Sequence, residues 1–178
     1  MGHVQNNAEE YIRRVIAKLK DGFFTSFMDN GCKVTVNIKV NTQNRDIIID
    51  FTGTSAQSKS NFNAPRSVTR AAVLYVMRSL VDAPIPLNEG CMRPIQLVIP
   101  EGSILSPNYP SAVVAGNVET SQIVTDTLYG ALGLLANAQG TMNNFTFGNQ
   151  RYQYYETICG GSGAGQGFNG CDAIHTQI

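Results

Sequence analysis

The feature that most constrains the fold is a strict alternation of apolar and polar residues between positions 33 and 41. The apolar members are Val34, Val36, Ile38 and Val40. A period of two places every apolar side chain on one face of a β-strand and every polar one on the other. After the polar turn 42–44, a second apolar run over 47–51 predicts a partner strand. We therefore expect an antiparallel hairpin with one face in the core.

Three segments carry apolar residues at helical spacing, near residues 7–20, 67–82 and 117–138. The stripe of the first helix is Ile12, Val15, Ile16 and Leu19. That of the second is Val68, Ala72, Val76 and Leu80. The third carries Val124, Leu128, Ala131, Leu132, Leu135 and Ala138. These spacings predict three helices, each with one face against the core.

The ends of these helices are predicted from capping residues. Asn7, Ser67 and Asn117 stand at the predicted N-termini, and Gly22 is expected to stop the first helix. Gly130 and Gly133 fall inside the third predicted helix, where each glycine costs about 1 kcal/mol relative to alanine. We attribute both to a closely packed neighbour.

Further strands are expected over 95–99, 145–147 and 152–158. Together with the hairpin and helices they predict an α+β fold, in which a mixed or antiparallel sheet packs against about three helices. The length of 178 residues suits a single compact domain over 1–178.

Charge and composition exclude several classes of function. The 13 basic and 13 acidic side chains cancel, so the chain lacks the positive surface expected for binding to nucleic acid or anionic lipid. It has no apolar run of about 18 residues that could span a membrane and no secretory signal, so we expect a cytoplasmic protein. Only 15% of residues are charged, against about 25% in typical domains. A surface so poor in charged residues, together with the abrupt end at Ile178, predicts a fragment of a larger assembly.

The cysteines and histidines predict no metal site. Cys32, Cys91, Cys159 and Cys171 are widely spaced without a CxxC pair, so we expect reduced thiols. His3 and His175 lie at opposite ends of the chain, and neither belongs to a recognisable catalytic triad of Ser or Cys, His and an acidic residue. Cys159 adjoins a glycine-rich segment and is expected to be a buried, inert thiol, the alternative being a thiol activated by backbone dipoles.

The glycine-rich segment, residues 160–170, holds six of the 17 glycines and predicts a backbone that approaches a neighbour closely. It contains a GxGxxG pattern at 165–170, but too little chain follows for the helix that a dinucleotide site needs. A tight turn or an anion-binding nest is the preferred interpretation. There is no GxxxxGK[ST] loop either, so we expect no ATP site in these residues.

Glu156 lies on the predicted strand that leads into this segment. A carboxylate there could act as a general base, with backbone N–H groups stabilising an oxyanion. The alternative is a solvated glutamate, or one that anchors the loop by hydrogen bonds.

The order of motifs along the chain resembles the hydantoinase B / 5-oxoprolinase family, which includes the B-type subunit of ATP-dependent N-methylhydantoinase. The matching motifs run through nearly the whole chain. They are DFTGTSAQ at 50–57, the polar loop 61–65, PLNEG at 86–90, PEGS at 100–103, GNVETSQ at 116–122, GTMNN at 140–144, YET at 155–157, GGSGA at 160–164 and DAIHT at 172–176.

The resemblance implies a two-part reaction on a cyclic amide such as a hydantoin or 5-oxoproline. An actin-like ATPase, the hydantoinase A-type subunit, would bind ATP and Mg and phosphorylate the ring amide oxygen. The B-type part would assist hydrolysis of the activated ring. The resemblance further implies that these residues form part of a longer subunit, whose remainder is a partner and carries the metal-holding segment of related carboxylases.

The resemblance also suggests roles for individual residues. Glu156 would activate water, and the other residues would bind substrate through backbone N–H groups or side-chain amides: Gly160, Gly161, Gly163, Asn61, Asn63, Asn88 and Asn143. No residue is expected to bind a metal, and the role of His175 stays open. Two alternatives to a hydrolase are a fragment of a related ATP-dependent ketone carboxylase and an assembly module without chemistry of its own.

Overall fold

A mixed four-stranded sheet lies at the centre of the computed structural model, which describes residues 2–176. The strand order is β1-β2-β3-β4, and two small two-stranded sheets, β5-β6 and β7-β8, follow in the chain. The helices are α1 (Gly2–Ile16), α2 (Arg66–Ser79) and α3 (Glu119–Leu132). The strands are β1 (Gly22–Phe27), β2 (Lys33–Asn41), β3 (Asp46–Asp50), β4 (Ile95–Val98), β5 (Asn144–Gly148), β6 (Gln153–Thr157), β7 (Gly161–Ser162) and β8 (Cys171–Asp172).

The predicted hairpin is confirmed as β2 and β3, which pair antiparallel with Ile38 opposite Ile49. β4 joins β3 in parallel and β1 joins β2 antiparallel. Val34, Val36 and Ile38 are all fully buried, as their alternation predicts. The mixed sheet and three helices confirm the α+β fold class.

The helices supply the other half of the core. Fully or almost fully buried side chains on the three helices face the sheet: Ile12 and Ile16 on α1, Val73, Val76 and Met77 on α2, and Val124 and Leu128 on α3. Burying a Val, Leu, Ile or Met side chain stabilises a fold by roughly 1.5–3 kcal/mol, so this shared core holds the helices in place. None of the helices within residues 2–176 is both long enough and apolar enough to cross a membrane.

The predicted start and stop of the first helix are wrong. α1 begins at Gly2, so Asn7 is an interior residue, and it ends at Ile16, so Leu19 lies beyond it. Gly22 begins strand β1 instead of stopping a helix. The apolar periodicity of the sequence did not predict β1. Its phenylalanines Phe23 and Phe27 face outward and are 66% and 71% exposed, whereas the one buried position of the strand holds a polar residue.

The other predicted caps are also wrong. Ser67 lies in the first turn of α2 after Pro65, which makes no side-chain capping bond, and Asn117 ends a short 3-10 helix over Val114–Asn117. α3 stops at Leu132 because Gly133 takes the left-handed conformation, with φ of 64°. Gly130 and Gly133, which the sequence explained in the same way, therefore have different roles.

Gly130 has the close neighbour that the sequence predicts, since an added Cβ would lie 2.8 Å from the ring of Phe24. An added Cβ at Gly133 would meet open space. Gly133 is needed for its backbone angles, whereas Gly130 is needed for its small size.

Candidate active site

A pocket of about 150 Å³ opens between α2, α3 and the glycine-rich segment. Its lining comes from four parts of the chain. These are Tyr75 of α2, then Gln122, Asp126 and Tyr129 of α3, then Leu135, Ala136, Ala138 and Gln139 after α3, and finally Ser162, Gly163 and Thr176.

Helical spacing places three of these side chains on one face of α3. Gln122, Asp126 and Tyr129 stand four and three residues apart, so they lie above one another along the helix. Val124 and Leu128 point into the core from the opposite side of the helix. α3 thus serves the core and the pocket at once, which explains a polar stripe on a well-buried helix.

Gln122 and Asp126 are buried, and their side chains make no hydrogen bond or ion pair within residues 2–176. Their exposed fractions are 8% and 9%. Among the described residues the enclosed, unpaired side-chain atoms are Oγ of Ser26 and Oε2 of Glu119, so the polar ends of Gln122 and Asp126 keep access to the water of the pocket. An amide and a carboxyl group that face a pocket one helical turn apart are free to bind a ligand.

Burial also changes the acidity of this carboxyl group. Because its charged form is poorly solvated, the pKa of Asp126 rises from the ordinary value of 3.8 to about 6. A carboxyl group with a pKa near neutrality can accept or donate a proton during catalysis. The arrangement is that of a general base with a neighbouring amide.

This raised pKa predicts a pH effect on stability. Between about pH 4 and 6 the folded chain holds a proton on Asp126 that the unfolded chain has released, so the free energy of unfolding falls as pH rises through that window. A shift of about two pKa units corresponds to about 3 kcal/mol. The substitution Asp126→Asn removes this loss, so we expect the variant to be more stable than the wild type by up to that amount above pH 6.

Urea denaturation of the wild type and the variant at pH 4, 5, 6 and 7 checks this. The other carboxylates titrate alike in both proteins, and their contribution cancels in the difference. A stability difference that stays constant between pH 4 and 6 would contradict the raised pKa.

Tyr129 extends the polar wall of the pocket. Its hydroxyl lies 3.0 Å from the hydroxyl of Ser79, and burial raises the pKa of the Tyr129 phenol. The phenol therefore stays protonated at neutral pH and donates its proton to Ser79, because the Ser79 hydroxyl donates to the carbonyl of Val76 at 2.8 Å.

The glycine-rich segment packs tightly, as the sequence predicts, and forms one wall of the pocket. At Gly163 an added Cβ would collide with the carbonyl oxygen of Ala136. The backbone N–H of Gly160 donates to Oε1 of Gln139 at 2.9 Å, and that of Gly161 donates to the carbonyl of Ile174 at 3.1 Å. Two of the three predicted oxyanion donors thus already have protein acceptors.

The collision at Gly163 predicts a stability loss for Gly163→Ala. The added methyl would push the glycine-rich segment away from Ala136, and overpacking of this kind costs about 1–3 kcal/mol. Gly140→Ala is the matched control, because an added Cβ there meets no atom within 4 Å. Urea denaturation of both variants is the measurement, and equal midpoints would show that the contact does not constrain the segment.

Glu156 lies outside the pocket lining. It is exposed on β6, opposite Phe145 of β5, and accepts a hydrogen bond from the hydroxyl of Tyr154. That bond raises the pKa of the Tyr154 phenol. The catalytic role of Glu156 stays a prediction.

Asn63 is fully buried in the polar loop and is bonded entirely to backbone. Its Oδ1 accepts from the N–H of Ser58 at 2.7 Å. Its Nδ2 lies 2.9 Å from the carbonyl of Ser58, 3.0 Å from that of Ser60 and 2.8 Å from that of Ala112. This side chain therefore organises the loop.

The other three predicted asparagines have different surroundings. Asn88 accepts from the N–H of Gly90 at 2.8 Å and so caps a short 3-10 helix. Asn143 donates to Oε1 of Gln139 at 3.2 Å, which places it next to a pocket residue. Asn61 is exposed. Substrate binding by any of the four asparagines stays a prediction.

The structure corrects two expectations about thiols and histidines. Cys159 is half-buried, and its Sγ lies 3.1 Å from Nε2 of the exposed His175. Strands β7 and β8 pair Gly161 with Asp172, and this pairing brings the two side chains together. A cysteine–histidine contact thus exists that spacing along the chain did not indicate. Within residues 2–176 no three His, Cys, Asp or Glu side chains cluster as metal ligands would.

The sequence of the chain matches one protein family over its whole length. A profile of the family described as hydantoinase B/oxoprolinase matches residues 1–178. The chain is 42% identical to a 5-oxoprolinase of Dictyostelium discoideum over 187 residues, covering 100% of this chain and 15% of that protein. It is 42% identical to a 5-oxoprolinase of Saccharomyces cerevisiae over 183 residues, covering 93% of this chain and 14% of that protein.

A solved structure shares the fold. The crystal structure of an ATP-dependent caprolactamase from Pseudomonas jessenii matches with a TM-score of 0.70 at 16% identity, covering 95% of this chain and 33% of that one. At this identity the match concerns the fold alone. The chain spans about 15% of the length of the 5-oxoprolinases that it resembles.

Proposed function

Because the chain belongs to the hydantoinase B/oxoprolinase family, we propose that it forms part of an ATP-dependent cyclic-amide hydrolase acting on a ring such as 5-oxoproline or a hydantoin. Relatives named 5-oxoprolinase and a caprolactamase of the same fold support this class of reaction. The observation that carries the proposal is the buried, unpaired pair of Gln122 and Asp126 in one pocket.

The size and polarity of the pocket suit a small cyclic amide. A cavity of about 150 Å³ is known to hold one benzene molecule, so a single five-membered ring fits a pocket of this volume. The Gln122 amide carries both donors and an acceptor, and can therefore pair with the N–H and C=O groups of a ring amide. The Tyr129 phenol donates its proton to Ser79, whose own hydroxyl proton goes to the carbonyl of Val76, so the Tyr129 oxygen offers an acceptor at the same wall.

Asp126 supplies the base in this proposal. Above pH 6 it is a carboxylate that takes a proton from a water molecule as the water oxygen attacks the ring carbonyl carbon. The carbon–oxygen bond forms, the ring carbon–nitrogen bond breaks, and the leaving nitrogen takes up a proton, which leaves an acyl phosphate on the former amide oxygen. A second water molecule hydrolyses this acyl phosphate to the carboxylate and inorganic phosphate. The low solvation that raises the pKa of Asp126 also makes its carboxylate a stronger base.

The proposal assigns ATP and Mg²⁺ to a partner. An actin-like ATPase of the hydantoinase A type would phosphorylate the ring amide oxygen, making the carbonyl carbon a better electrophile. We propose that residues 1–178 form a single domain of a longer B-type subunit whose remainder contacts this domain. We expect the assembled enzyme in the cytoplasm, where ATP is available.

The experiment that tests the proposal is ring opening by the full-length enzyme together with its ATPase part. 5-Oxoproline and hydantoin are each incubated with and without ATP, and the open-chain product is measured by chromatography. We expect ATP-dependent opening that needs no bicarbonate. ATP-dependent consumption of a ketone only with bicarbonate would instead assign the protein to the carboxylases, and inactivity in both assays would favour an assembly module.

A further inference from the structure

Cys159 and His175 form a contact for which the proposed hydrolysis has no use. The sulfur lies 3.1 Å from Nε2 of the imidazole, within the reach of a nucleophile and its base. Both groups are accessible, since Cys159 is half-buried and His175 is exposed.

Hydrogen bonds on both sides hold this pair in register. Gly161 donates to the carbonyl of Ile174 at 3.1 Å, and Thr176 donates its hydroxyl proton to the carbonyl of Gly161 at 2.7 Å. Ile174 and Thr176, on either side of His175, are therefore both bonded to Gly161, which lies two positions after Cys159. The N–H of Gly160 is held by Gln139. A thiol and an imidazole fixed in this way need little reorganisation to react.

Cys171 provides an internal comparison. It is a free cysteine on β8 of the same small sheet and is more exposed than Cys159. No hydrogen bond joins its sulfur to a histidine within the described part of the chain. If exposure alone set the reactivity, Cys171 would react faster.

We propose that Cys159 and His175 form a reactive thiol site for small soft electrophiles, hydroperoxides among them. His175 takes the thiol proton at Nε2 and the sulfur attacks one oxygen of the peroxide. A sulfur–oxygen bond forms as the oxygen–oxygen bond breaks, and the departing oxygen takes the proton from His175. Cysteine is oxidised to sulfenic acid, and hydrogen peroxide is reduced to water.

Site-resolved alkylation of the 178-residue chain tests the proposal. The chain is treated with iodoacetamide at pH 7, samples are quenched over time, and mass spectrometry of peptides gives a rate for each cysteine. We expect Cys159 to react about tenfold faster than Cys171. In His175→Ala and His175→Gln, we expect the Cys159 rate to fall about tenfold while the Cys171 rate stays unchanged.

A second probe measures the oxidation itself. After brief exposure to hydrogen peroxide, dimedone should label Cys159 in the wild type and much less in either His175 variant. The Cys171 rate reports on the local fold, since this residue sits in the strand that precedes His175. A Cys171 rate equal to or above that of Cys159 in the wild type would overturn the proposal, as would His175 variants that leave the Cys159 rate unchanged.

Discussion

Asp126→Asn is expected to lower kcat of the full-length enzyme by at least about 100-fold, because asparagine cannot take a proton from the attacking water. KM should change far less, since asparagine keeps the shape of the side chain and Gln122 still pairs with the ring amide. The variant should also fold normally and gain stability above pH 6, so lost activity would not reflect lost structure. Steady-state kinetics of ATP-dependent ring opening provide the measurement.

Glu156→Gln is the matched comparison for this experiment. The sequence predicts Glu156 as the general base, whereas the structure places it on an exposed hairpin outside the pocket lining. With Asp126 as the base, Glu156→Gln should keep kcat within a few-fold of the wild type. The reverse result, with activity lost in Glu156→Gln and kept in Asp126→Asn, would restore the sequence prediction and exclude the pocket as the site of proton transfer.

Asn63→Ala is expected to destabilise the fold by about 3–5 kcal/mol. The substitution leaves one backbone N–H and three carbonyl groups in the polar loop without the amide that they share, and each unsatisfied buried group costs about 1–3 kcal/mol. Water that enters the loop can pair with some of these backbone groups, so the total loss of stability is smaller than the sum of the individual costs. Such a loss is a large fraction of the stability of an average domain. Urea denaturation followed by circular dichroism gives the value.

Asn61→Ala is the control for Asn63→Ala. Both asparagines belong to the same loop and both are predicted from the sequence to bind substrate, but the Asn61 side chain is exposed and only its backbone carbonyl is bonded, to the N–H of Ala115 at 2.9 Å. We expect a change within about 0.5 kcal/mol. Equal losses in the two variants would contradict the structural role given to Asn63.

The sequence indicated the parts of the fold that depend on local patterns. The alternation over 33–41 predicted β2 and its burial. In a strand with this period all apolar side chains lie on one face, and only that face can pack against the core. Helical spacing predicted the existence of α1, α2 and α3 for a similar reason. Their ends were misplaced, because a helix stops where packing and backbone angles require it, as at Gly133.

The family resemblance predicted glycines and asparagines that the structure uses mainly in packing and loop order. Gly163 permits a close approach, and the buried Asn63 amide bonds partly buried backbone groups. These needs generate the same sequence signal as ligand binding, because each requires one particular residue type. A motif by itself cannot separate them.

The sequence by itself determined the α+β class, the central hairpin, the three helices and the family. Tertiary structure decided which polar groups are buried and which distant residues meet. Asp126 acquires its raised pKa only when α2 and the glycine-rich segment remove water from around it. Cys159 and His175 meet only through the pairing of β7 with β8. Burial and long-range contact depend on the whole packed molecule, whereas periodicity is a property of a few neighbouring residues.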